Sequence, residues 1–168
     1  MTISMYTAST PRLANILKNL SAILTKAEAH AEARKIDPAV LLGARLYPDM
    51  FPLSRQIQIA CDTAKGAVAR LAGLEVPRHE DTEKTFADLQ QRIAQVVAFI
   101  ESVPPQQIDG SEERKITLTM RGNETHFVGL QYLMGFALPN FYFHTVTAYD
   151  ILRHNGVEIG KRDFLGNP

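Results

Sequence analysis

One cysteine, Cys61, occurs in 168 residues. No internal disulfide can form, so the fold must be held by burial alone, which suits a reducing cytoplasm. Neither sign of charge prevails, because Lys and Arg total 18 and Asp and Glu total 18. The chain lacks the global basic field that would draw it to nucleic acid or anionic lipid. No apolar run approaches the ~20 residues that cross a bilayer. The start, Met1-Thr-Ile-Ser-Met-Tyr6, lacks the basic-then-apolar pattern of a secretory signal. Gly-x-Ser-x-Gly, phosphate-cradling glycine loops, Gly-x-Gly-x-x-Gly and His-Glu-x-x-His are all missing, which removes the commonest hydrolase, nucleotide and zinc-protease signatures. Internal repeats and low-complexity tracts are missing too. These absences point to a cytoplasmic chain with no nucleic-acid or membrane partner. At this length one domain, residues 1–168, buries roughly two-thirds of its unfolded surface without a covalent staple.

What is present is helical periodicity. Leu13, Ile16, Leu17, Leu20, Ile23, Leu24 and Ala27 recur at the spacing of one helix face, with Asn15, Lys18, Asn19 and Lys26 opposite. Pro11 either starts this helix, with Thr10 as cap, or kinks one that begins near Thr2. His30, among alanines and a glutamate, reads as solvated. Asp37-Pro38 opens a short helix, Ala39 to Leu46, which Pro48 and Pro52 break. The apolar Met50 and Phe51 between them suggest a connection pinned to the body. A second long helix runs from Leu53 to about Ala72, stopped by Gly73, with Ile57, Cys61, Ala64, Val68 and Leu71 as its core stripe. On that stripe, Cys61 reads as a buried, inert thiol.

A third helix, capped at Asp81 or Thr82, carries Phe86, Leu89, Ile93, Val96, Val97 and Ile100 until Pro104-Pro105. Residues 106–113 read as an exposed loop. Ile116, Leu118 and Met120 then alternate with polar residues as a half-buried strand, Gly122-Asn123 marks a turn, and Thr125 to Val128 is the returning strand. Gly129 to Leu138 reads as a short helix that breaks at Pro139. The last long helix, Pro139 to Asn155, places Phe141, Thr145, Ala148, Tyr149 and Leu152 on one stripe and Asn140, His144, Ala148, Ile151 and Asn155 on the next. Its apolar breadth predicts a place in the middle of the bundle. Gly156 fits just past its end, with Val157 for the capping contact. His154, near that end, favours the negative pole of the helix dipole.

Beside the second helix's core stripe runs a polar one, Arg55, Gln58, Asp62 and Lys65. It has two readings. A solvated face with local pairs, each worth a few tenths of a kcal/mol, is the default because charged side chains are seldom fully buried. The other is an inward polar network facing His144, which must be well satisfied to be tolerated.

Several stretches carry a resemblance. They are Leu46 through Asp62, Arg70-Leu-Ala-Gly73, Thr85-Phe86, Ala137-Leu-Pro-Asn-Phe-Tyr-Phe-His144 with Leu152-Arg-His-Asn-Gly156, and Lys161-Arg-Asp-Phe-Leu-Gly166. Over nearly its whole length the chain is similar to an uncharacterised bacterial family of domains of unknown function, grouped with the DinB/YfiT-like metalloenzyme superfamily. The resemblance implies a four-helix bundle, commonly dimeric, holding a divalent metal through one histidine on the second helix and a His-x-x-x-His pair on the fourth. Carried over, His144 stands at the second position of that pair, Asn140 at the first, and the helix-two position falls near Gln58 or Ile59. One imidazole with two neutral amides binds zinc or nickel poorly, so neither metal nor cofactor is expected. Asn140, His144 and a Gln or Asp from the second helix could instead bond among themselves, or Asp62 could serve as a carboxylate partner to His144.

The expected architecture is thus mainly α, a DinB-like four-helix bundle with a short extra helix before the second long helix and a small β-hairpin between the third and fourth. No residue set identifies a reaction, so whether the chain is an enzyme stays open. The expected function is binding of a small molecule, or self-association as a homodimer, through a pocket formed by Arg55, Gln58, Asp62, Asn140, Tyr142 and His144. The alternative is a metal- or thiol-dependent transferase or hydrolase of the DinB/YfiT type.

Overall fold

A computed structural model describes residues 3–120 and 122–166. In chain order these form α1 (Met5–Ala8), α2 (Thr10–Arg34), α3 (Pro38–Gly43), α4 (Leu53–Ala72), α5 (Phe86–Ser102), α6 (Pro105–Ile108), β1 (Lys115–Met120), β2 (Asn123–Val128), α7 (Gly129–Tyr132), a π-helical turn (Leu133–Ala137), α8 (Leu138–His154) and α9 (Lys161–Leu165). The four long helices close a ring in which α2 packs on α5, α5 on α4, α4 on α8 and α8 on α2. The stripes read from periodicity are the core: Leu13, Leu17, Leu24, Ile57, Val68, Leu89, Ile100, Phe141 and Leu152 are all fully buried. Each such side chain contributes about 1.5–3 kcal/mol relative to exposure.

The central helix is α4 rather than α8. Thirteen of the twenty α4 residues are buried, whereas α8 buries seven of seventeen and leaves Phe143 and Val146 exposed. Small side chains decide this: Ala60, Ala64, Ala67 and Ala69 let neighbours approach α4 on every side, which the bulky residues of α8 prevent.

The helix ends follow from local chemistry. Asp37 caps α3 by accepting from the Ala39 amide, and the helix stops at Gly43, short of the expected Leu46. Gly73 and Gly156, left-handed at φ 72° and 87°, close α4 and α8; after α8 the Val157 amide reaches back to the Leu152 carbonyl at 3.1 Å and the Val157 side chain is buried. At the other end of the chain, a short α1 turn precedes Ser9, which stands as N-cap of α2, so Pro11 lies in the first turn of α2.

Two stretches depart from expectation. Residues 105–108 form α6, and Ile108 and Ser111 are buried instead of lying in an exposed loop. Pro139 does not break the chain's path, because the preceding turn widens. The Leu138 amide bonds to the Leu133 carbonyl five residues back. This π turn lets the helix absorb a proline ring that would collide with the carbonyl four residues earlier in a regular α-helix. The hairpin pairs Lys115 with Val128 through Met120 with Asn123, so Asn123 belongs to the strand, and Gly122, at φ 82°, supplies the left-handed turn residue. Gly129 must lack a side chain, since a Cβ there would stand 2.0 Å from the Ser111 carbonyl oxygen.

Candidate functional site

The polar stripe of α4 turns inward, but toward α5. Arg55, Gln58, Asp62 and Lys65 recur at three- and four-residue spacing and so share one line along the helix. Opposite them stands Arg92 of α5, 2% exposed. Its guanidinium donates to Asp62 Oδ1 and Glu83 Oε1, each at 2.8 Å, and to the Glu80 carbonyl at 3.1 Å. It also pairs with Asp81 at 3.0 Å. Lys65, nearly as buried, meets Asp62 at 2.8 Å. Gln58 donates to Glu83 Oε2 at 2.9 Å and accepts from Arg55 at 3.2 Å, and Arg55 pairs with Asp81. Three cations thus meet three anions in a closed network. Burial is tolerable because each charge has a partner.

The segment before α5 supplies half of that network. Asp81 does not cap the helix, being committed to Arg55 and Arg92. The cap is Thr85, in a reciprocal box with Asp88. Burial alone would raise the Glu83 pKa, but hydrogen bonds from Arg92, its own backbone and Gln58 hold it below the ordinary range. Burial likewise works against the Arg92 charge, and Glu83 and Asp62 outweigh it. The neighbouring Cys61 is pushed up to about 12, chiefly by burial, which leaves a thiol without nucleophilic character at neutral pH.

His144, 8% exposed, lies outside this network, against the first turns of α4. Its Nδ1 is 2.6 Å from Gln56 Oε1. The Gln56 amide nitrogen donates to the Phe51 carbonyl at 3.1 Å, which fixes Oε1 as the acceptor and therefore assigns the proton to Nδ1. The other ring nitrogen, Nε2, keeps its lone pair. Burial first, and then the Arg55 charge, lower the His144 pKa and favour this neutral form. The exposed Phe143 ring stands edge-on to the imidazole, 5.2 Å between centroids, and exposed Phe51 lies under the Arg55 guanidinium at 5.9 Å.

The six residues expected to share a pocket occupy three places. Arg55, Gln58 and Asp62 belong to the Arg92 network. His144 pairs with Gln56, while Asn140 donates to Thr63 Oγ1 at 2.8 Å. Tyr142 faces away, into a cleft between α2, α8 and α9. Gln56 and Arg92 were missed in the sequence. For Arg92 a signal existed, since it falls among Leu89, Ile93 and Val96 on the core face of its helix and follows the acidic run Glu80-Asp81-Thr82-Glu83. Gln56 carried no such mark.

A divalent metal of the kind the resemblance implies does not fit this donor set. His144 Nε2 would be the one imidazole donor, Asn140 offers only a neutral amide oxygen, and no group of three His, Cys, Asp or Glu side chains able to hold an ion occurs among the described residues.

Comparison with known proteins agrees with the fold. Residues 5–165 match the profile of the domain of unknown function DUF1993. A crystal structure of a DinB family member protein from Shewanella denitrificans is 46% identical, with a TM-score of 0.89 over 97% of this chain and 92% of that one. No curated protein matches. No described helix is long and apolar enough to cross a membrane. A match across nearly the whole chain, on a bundle of this topology, places the protein in the DUF1993 family, with a DinB-like fold.

Proposed function

We propose that this protein is a metal-independent binding protein whose small-molecule ligand meets the α4–α8 face at His144. One observation carries the reading: Gln56 holds the Nδ1 proton and leaves Nε2 as an acceptor. The ligand it suits has an O–H or N–H to donate and a flat apolar body to lie against Phe51 and Phe143, both more than half exposed. Asn140, bonded to Thr63 on the same α4–α8 seam, keeps the two helices in register beneath the site. A cytoplasmic setting belongs to the same reading, supported by the single unpaired thiol.

Nitrogen-15 shifts of His144, followed during titration with phenol, test it. The expected result is an Nδ1–H tautomer at neutral pH and a saturable change at Nε2, both lost in Gln56→Leu. A ring protonated on Nε2, or a stoichiometric transition metal that disappears in His144→Ala, would refute it. A second reading is self-association as a homodimer, favoured by Tyr47, Phe51, Phe143 and Val146, which remain exposed on the connection before α4 and on α8. Light scattering showing monomer alone at micromolar concentration would remove it. The transferase or hydrolase alternative has less support, since Cys61 is inert and the metal donors do not fit.

A further inference from the structure

The cleft that takes Tyr142 is independent of the His144 face. It encloses about 400 Å³ between α2, α8 and the α9 tail. Its floor and walls are Ile16, Tyr142, Phe164 and Leu165, and its rim holds Arg12 and Asn15. Arg12, Asn15 and Ile16 are three and four residues apart, so one face of α2 presents a cation, an amide and an apolar side chain in sequence. The opposite wall is anchored firmly. Lys26 meets Asp163 at 2.6 Å, Asn19 and Asn15 donate to the Phe164 and Leu165 carbonyls at 3.0 and 3.3 Å, and Tyr149 packs edge-on to Phe164.

The electrostatics of this cleft are one-sided. Among the described residues, Arg12 is the sole charged one lining the cleft, and it enters no ion pair with any of them. It also stands in the first turn of α2, which has no acidic residue and no side-chain cap. The Ser9 hydroxyl that could have capped it donates instead to the Met5 carbonyl at 2.6 Å. A cation at the positive end of a helix is unfavourable by itself, and an anion placed there relieves both charges. Leu165 nonetheless stays half exposed, so apolar surface is left uncovered beside the cation.

We infer that this cleft binds a small apolar monocarboxylate. The carboxylate sits on Arg12 within reach of the Asn15 amide and the Tyr142 hydroxyl, and the hydrocarbon body lies against Ile16, Phe164 and Leu165. Cation and apolar wall are both needed, so the site discriminates against a neutral alcohol of the same length and against a short acid.

Octanoate, octanol and acetate, each titrated into the full chain and followed by amide and methyl chemical shifts, test the inference. The expected result is saturable octanoate binding with shifts at Arg12, Ile16, Tyr142 and Leu165, with octanol and acetate each about tenfold weaker or more. Arg12→Gln, a change at an exposed position, should weaken octanoate about tenfold and leave octanol unaffected; Leu165→Ala should weaken both. No saturable octanoate binding, unchanged affinity in Arg12→Gln, or shifts confined to the His144 face would each overturn it. A dimer by light scattering that Leu165→Glu dissociates would also overturn it, because a second copy would then cover the cleft.

Discussion

Replacing Arg92 with methionine removes the hub of the α4–α5 network while keeping most of its aliphatic volume. Breaking a buried ion pair from one side costs about 3–5 kcal/mol. Two of the three carboxylates soften that figure here, because the side chains of Asp62 and Asp81 are each 39% exposed and rehydrate when released. Glu83, 10% exposed, cannot. Arg92 Nε, moreover, is buried without a hydrogen-bond partner, so its loss relieves one unsatisfied donor. The balance is a loss of about 2–3 kcal/mol at pH 7, or about 5–10 °C in melting temperature for a chain of this length. Urea unfolding at pH 7 and again at pH 4 reads both the size and its origin. In the native protein the folded-state pKa of Glu83 is depressed, so its contribution is complete above the ordinary glutamate value of 4.5 and is lost as pH falls through the lower folded value. Without Arg92 the effect of burial on Glu83 is less opposed and its pKa rises. Protonation then relieves the variant, and the gap between the two proteins narrows on acidification. A gap below about 0.5 kcal/mol at pH 7, the range of ordinary surface changes, or one that widens toward pH 4, would refute the argument.

Two further outcomes follow from local geometry. Lys35 ends α2 at φ 55°, the left-handed conformation that favours glycine, so Lys35→Gly should raise stability by about 1 kcal/mol in chemical denaturation; a loss would mean that the Lys35 side chain holds the helix end. Cys61, fully buried and pushed up to about 12, should resist a thiol-disulfide reagent in the native state at pH 8 and react at once in denaturant. Native-state labelling at the rate of a free thiol would contradict that burial.

The long helices were legible because their cores repeat at helical spacing; Gly73 and Gly156 mark the ends of two of them, and Asp37 the start of the short α3, by requirements of a single residue's backbone or side chain. The hairpin was legible for the same reason, through alternation and Gly122. The expected site was legible only in part. That Arg55, Gln58 and Asp62 share a line is a property of one helix, and periodicity reveals it. Which helix they face is not.

Three decisions lay beyond local pattern. The α4 stripe meets Arg92 and the segment around Asp81 and Glu83 because α5 packs on α4, and this drew Asp81 away from the helix cap to which its position pointed. His144 met Gln56 rather than Gln58 because the rotation of α4 against α8 selects one of two nearby amides. Pro139 passed without a break because a π turn, five residues long, opened ahead of it. Amino-acid order governs the period of each helix, its caps and its apolar side, since those depend on neighbours a few bonds away. Charge pairing between helices depends on how the faces are turned toward one another, and packing of the whole bundle settles that.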